Sequence, residues 1–83
     1  MNVTDTTTAV LAMLEEATLA DAGSLAADGP LLGMEGWDSM GMVMFIHLVQ
    51  ERFGFELSIA DLRDCETAAE LSAAIHARLE GGK

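Results

Sequence analysis

Ser39 is the residue best placed to do chemistry. It lies in Gly36-Trp37-Asp38-Ser39-Met40, where a glycine-rich stretch gives way to an apolar, periodic run. A serine in the first turn of a helix sits at the helix's positive end, where unpaired backbone N–H groups and the macrodipole favour an anion. A phosphate ester on that hydroxyl would be held by the helix itself, and the glycines before it leave room for a modifying enzyme. The plain alternative is a helix-start serine beside an Asp38 N-cap. Position alone neither chooses between the two nor names the phosphate.

Other chemistry is excluded by spacing. Asp38, Ser39 and His47 do not make a hydrolase triad. Eight residues of helix put Ser39 and His47 about 12 Å apart, beyond hydrogen-bond reach. No Gly-x-Ser-x-Gly elbow is present, since Trp37 stands two residues before Ser39. His47 and His76 lack an acid or cysteine at ligand spacing and read as surface or satisfied histidines. Cys65 lies between Asp64 and Glu66, which raise a thiol pKa and argue against a nucleophile. Asp21 and Asp28 lack the calcium-loop spacing. No catalytic residue and no metal site is assigned.

The elements that must position Ser39 come from 83 residues, enough for one domain over 1–83. Acids number 14 against four Lys and Arg, a net charge of −10, and residues 1–50 hold seven acids and no Lys or Arg. Such a surface repels phosphate backbones, so nucleic acid is not an expected partner and basic protein patches are. With 51% hydrophobic residues the chain is too apolar for a disordered acidic tail. No apolar run reaches the length of a membrane span. Met1 to Asp5 shows neither the charged nor the apolar region of a signal peptide, and the single cysteine excludes an internal disulfide. A reduced, cytoplasmic monomer is expected.

The spacing predicts a first helix over 6–18, with Val3, Thr7, Val10, Leu14 and Ala17 on one face and Thr4 or Asp5 as N-cap. Residues 19–37 carry five helix-breaking Gly or Pro residues (Gly23, Gly29, Pro30, Gly33 and Gly36) and form a long connection. Leu25, Leu31, Leu32, Met34 and Trp37 would pin it to the core. A second helix runs over 39–53 between an Asp38 N-cap and Gly54 at C′. Met42, Phe45, Ile46, Val49 and Phe53 form its core stripe; Met40, Met44, His47 and Glu51 form another, roughly opposite. A helix apolar on two sides lies mid-core or offers one side to a partner. Phe55, Leu57 and Ile59 alternate like a strand, but no second strand exists to pair with. A short turn of helix follows a Ser58 N-cap. Thr67 and Glu70 form a capping box, opening a last helix to about Glu80 with Ala68, Leu71, Ile75 and Leu79 inward, and Gly81 and Gly82 end it. The expected core is Val10, Leu14, Leu32, Met42, Phe45, Ile46, Val49, Phe53, Leu57, Leu62, Leu71, Ile75 and Leu79. The fold class is all-α: a four-helix bundle with a short third helix and a long loop between helices 1 and 2.

The segment from Leu32 to Leu57, centred on Asp38-Ser39-Met40, resembles the acyl carrier protein family. That family opens its second helix with Asp-Ser-Leu or Asp-Ser-Met after a long loop and closes it with an aromatic residue and glycine, here Phe53-Gly54. The order and lengths of the elements agree over nearly the whole chain.

The resemblance implies that Ser39 carries 4′-phosphopantetheine, derived from coenzyme A and installed by a phosphopantetheinyl transferase with magnesium. It further implies a non-catalytic carrier that presents an acyl or aminoacyl thioester to successive enzymes: a loading ligase or adenylation enzyme, and ketosynthases, acyltransferases or condensation-type enzymes. By the same analogy Asp38 lies at the edge of the transferase contact, and Met40, Val43, Met44, His47 and Glu51 lie on the docking face. The core of such a carrier opens to varying extents to shelter cargo between the second and third helices. The chain departs from the fatty-acid pattern at Gly41, Met44 and Gln50, where acids are common, so its docking helix is more apolar. Gly36-Trp37-Asp38-Ser39 is similar to carriers of polyketide, nonribosomal and related specialised biosynthesis. Ser39-Met40-Gly41 is similar to aminoacyl carriers such as the D-alanyl carrier protein. A specialised or aminoacyl pathway is favoured over housekeeping fatty acid synthesis. A non-covalent helical adaptor without the arm is the alternative.

Overall fold

A computed structural model describes residues 2–81 as four helices with no strand: α1 (Val3–Thr18), α2 (Ser39–Phe53), α3 (Ile59–Arg63) and α4 (Ala68–Glu80). The all-α reading and the α2 boundaries hold as expected. α1 packs on both α2 and α4, and α3 packs on α2. Fully buried Val10, Leu14, Phe45, Val49, Leu62, Leu71 and Ile75 fill the space between them. Expected core residues Met42, Ile46, Phe53 and Leu79 are only partly buried and pack around that centre.

The start of α1 differs from expectation. Asn2, in extended backbone, caps the helix by accepting the Asp5 N–H at 2.8 Å. Thr4 and Asp5 lie inside the first turn. Within the threonine run, Thr6, Thr7 and Thr8 donate their hydroxyls to the carbonyls four residues back, so the side chains bond the helix's own backbone without replacing its N–H bonds. Val3 is 55% exposed rather than facing inward, while Thr6, Ala9 and Met13 join the buried face.

Of the loop's expected anchors, Leu31 is buried and Leu25, Met34 and Trp37 pack against the core, but Leu32 is 89% exposed. The Leu31 N–H donates to the Glu66 carbonyl at 2.8 Å, which fixes the register. The loop also closes the start of α4: the carbonyls of Gly29 and Ala27 accept the Ala68 and Ala69 N–H groups, and Thr67 Oγ1 accepts that of Glu70. The expected Thr67–Glu70 box is therefore half formed, because the Glu70 carboxylate accepts the Glu66 N–H instead. The reciprocal box sits at α3, between Ser58 and Asp61. Gly81 caps α4 as expected, and Gly82 lies outside the described residues.

Candidate functional site

Ser39 is the first residue of α2 and is exposed. Its placement depends on how tightly the preceding loop meets α1. Gly36 has φ +84°, and a Cβ there would come within 2.7 Å of the Thr18 carbonyl oxygen. A Cβ on Gly41, one turn into α2, would collide with the Gly36 carbonyl oxygen. Glycine at both positions lets the loop cross over the end of α1 and turn directly into α2. Trp37 anchors the crossing edge-on to Phe45, with ring centroids 5.6 Å apart. This contact escaped the sequence reading; its one signal was Gly41 inside an apolar helix, where glycine is disfavoured.

The two long helices behind the loop differ at their N-termini. At α4 the loop and Thr67 occupy the first N–H groups. At α2, Asp38 Oδ1 accepts the Gly41 N–H at 2.9 Å and the Asp38 carbonyl accepts that of Met42 at 2.8 Å. The Ser39 and Met40 N–H groups have no partner among the described residues. A phosphodiester on Ser39 fits this open helix end, which offers two free donors and the positive pole of a 15-residue helix. Asp38 offsets part of that field with its own charge while it holds the first turn in shape.

Beyond Ser39, α2 presents a shallow groove of about 510 Å³ lined by Ser39, Met40, Val43, Met44 and His47. Met40, Val43 and Met44 are 82%, 58% and 48% exposed, so no described residue covers this second apolar face. The structure thus brings five of the expected residues into one surface. Asp38 stands at its upper edge as the cap. Glu51 lies outside the groove, paired with His47 at 3.5 Å between Nε2 and Oε2.

On another side of α2 an open pocket of about 770 Å³ lies between the loop, α2, α3 and the connection to α4. Trp37, Met42, Leu62, Arg63 and Cys65 are among its walls. The Cys65 thiol donates to the Asp61 carbonyl at 3.6 Å. Burial, reinforced by the charges of Glu70, Asp64 and Asp61, pushes its pKa up and keeps it a thiol. Burial and Glu70, rather than Glu66, are the causes the sequence left out. His47 and His76 stand on separate helices, and no cluster of metal-ligating side chains occurs among the described residues. No helix among them is long and apolar enough to cross a membrane.

Known proteins agree with this geometry. The phosphopantetheine attachment site family matches residues 8–75. Acyl carrier protein MbtL of Mycobacterium tuberculosis and that of Mycobacterium bovis are each 32% identical to the chain over 71 residues, which cover 86% of this chain and 84% of the relative. No solved structure matches at a significant level. A helical bundle of carrier order, a family match across most of its length and relatives of the same extent together establish that the chain belongs to the acyl carrier protein family, non-catalytic carriers that bear a covalently attached 4′-phosphopantetheine.

Proposed function

We propose that Ser39 is the attachment residue and that residues 1–83 act as one carrier domain. The carrying observation is the exposed Ser39 hydroxyl at the open start of α2, beside two N–H groups that no other described residue uses. When bound, the arm supplies a terminal thiol that holds an acyl group as a thioester. This chain's own residues do the rest. The Ser39 Oγ attacks the phosphorus of coenzyme A on the transferase; a P–O bond forms to Ser39, the pyrophosphate P–O bond breaks, and adenosine 3′,5′-bisphosphate leaves with the hydroxyl proton passed to a base. The Ser39 and Met40 N–H groups and the α2 dipole then stabilise the phosphodiester.

Partner enzymes dock on Met40, Val43, Met44 and His47, with Asp38 and Glu51 at the borders. The apolar character of that groove supports a specialised pathway over fatty acid synthesis, and acyl carrier protein MbtL, by its name, supports an acyl cargo. The enzymes in view are a loading ligase or adenylation enzyme and ketosynthase, acyltransferase or condensation-type enzymes. The half-buried free thiol of Cys65 suits the reducing cytoplasm.

Intact-protein mass spectrometry tests the reading. Incubation with coenzyme A, magnesium and a phosphopantetheinyl transferase adds one phosphopantetheine to the wild type and none to Ser39→Ala, whose helical circular dichroism is unchanged. A folded wild type that stays unmodified, yet binds the same enzymes as Ser39→Ala does, identifies the non-covalent adaptor instead.

A further inference from the structure

We propose that Leu19, at the end of α1, belongs to the surface on which the arm-attaching transferase closes; the inference rests on the assignment of Ser39 above. Leu19 is the C-cap of α1, with φ 61° and ψ 30°, and is the one non-glycine among the described residues at positive φ. An L side chain crowds its own backbone there, which is why glycine or asparagine ordinarily fills this position. Leu19 is also 91% exposed, the most exposed of the large hydrophobic side chains described. A lone exposed leucine needs no explanation. One held in a left-handed cap without burial serves the folded chain worse than glycine on both counts, so its use lies outside the fold.

Its place indicates that use. The preceding residue, Thr18, is the one whose backbone meets Gly36, three residues before Ser39. Ala17 faces Gly41, two residues after Ser39, with 3.6 Å between the Ala17 carbonyl oxygen and the Gly41 Cβ position. The end of α1 is therefore built against both flanks of the attachment serine. The turn beyond Leu19 is fixed by Glu15, whose Oε2 accepts the Gly23 N–H at 2.9 Å, so the side chain is shown on a firm support.

The transferase is the partner this position selects. Enzymes that work on the thioester dock along α2 but react at the far tip of the arm. The transferase alone must bring phosphorus to bonding distance of Ser39 Oγ, and its surface has to close over whatever surrounds that atom. Exposed Glu16, Asp21, Glu35 and Asp38 accompany Leu19, with no Lys or Arg anywhere in residues 1–50. The fitting enzyme surface is an apolar socket bordered by Lys and Arg.

The test uses the full chain, a phosphopantetheinyl transferase, coenzyme A and magnesium, with kcat/KM read from the mass gain and stability from the melting temperature. Leu19→Gly raises the melting temperature by a few degrees, because it relieves the cap, yet lowers kcat/KM about fivefold, the effect of removing part of a leucine's burial. Leu19→Met keeps the wild-type rate. Val3→Ser, at the opposite end of α1, does not change it. A Leu19→Gly protein that is modified as fast as wild type, or one that melts lower, overturns the inference and leaves Ser39 standing. A wild type that gains no mass overturns the Ser39 assignment itself.

Discussion

The carbonyl oxygen of Gly36 fills the space in which a side chain on Gly41 would begin. Ser39 lies between these two glycines, so their contact sets how the loop delivers the hydroxyl to the start of α2. Gly41→Ala gains about 1 kcal/mol of helix propensity. It also drives a methyl group into a backbone oxygen that has no rotamer to swing away, and overpacking costs about 1–3 kcal/mol. The clash outweighs the gain because both Gly36 and the facing Thr18 are fixed by backbone. Urea denaturation of Gly41→Ala shows a lower midpoint at unchanged slope, and attachment of the arm slows. A variant as stable as wild type refutes the contact.

Much of this arrangement was legible in the sequence. α2 stands where its caps put it, because Asp38, Gly54 and the Phe45–Val49 stripe all specify one helix. Ser39 could be singled out because a hydroxyl at the start of such a helix follows from local order alone. The α1 start was not legible to the residue: Asn2, Thr4 and Asp5 are all residue types that cap a helix, and only the bond from the Asp5 N–H to Asn2 Oδ1 shows which of them does. Leu31 and Leu32 could not be told apart in a loop without period; the bond from Leu31 to Glu66 decides which turns inward. The contact of Gly36 with Gly41 depends on α1 lying beneath them, and no local pattern records it.

Thr6 links the two ends of the fold's longest contact. Its buried Oγ1 lies 3.1 Å from the Asn2 carbonyl and 3.1 Å from His76 Nδ1 on α4. The Asn2 carbonyl already accepts the Thr6 N–H at 3.0 Å, so the hydroxyl is the one bond that ties this end of α1 to His76. Thr6→Val keeps the shape but leaves His76 Nδ1 without this partner, at a cost of about 1–2 kcal/mol. The variant unfolds at lower urea than wild type, and the nitrogen NMR shift of His76 Nδ1 moves. A variant as stable as wild type, with Nδ1 unmoved, contradicts the contact.

Acid should loosen α3 through Asp61. The Ser58 N–H, then the Ser58 hydroxyl, hold its carboxylate below the ordinary aspartate value near 3.8. A carboxylate whose folded pKa is depressed contributes its stability fully above the unfolded value and loses it as pH falls through the folded one. Asp61 is exposed, so solvent keeps the contribution small. Wild type therefore melts slightly above Asp61→Asn at pH 7, and the gap closes below about pH 3.8, the unfolded value. A gap that persists in strong acid assigns the difference to packing instead of charge.

Met40 and Met44 set what kind of contact the proposed docking face would make. An acidic carrier that docks through ion pairs loses affinity in salt, because exposed charges are screened. Here the groove beside Ser39 is built mainly from methionine and valine, and the imidazole at its end, His47, faces Glu51 within α2 at 3.5 Å. Burying apolar area gives about 25 cal/mol per Å², and methionine adapts to sockets of different shape. Replacing Met40 and Met44 by serine removes most of that area without touching the core, since both side chains are exposed. The double variant keeps its circular dichroism and melting temperature. Its KM as a substrate of the loading enzyme rises about tenfold, as expected for a loss of roughly 1.4 kcal/mol, with kcat little changed. The decisive comparison is between low and high salt: an apolar contact shows the same rise in both. A rise that disappears in high salt means that the face works through charge and that the methionines only border it.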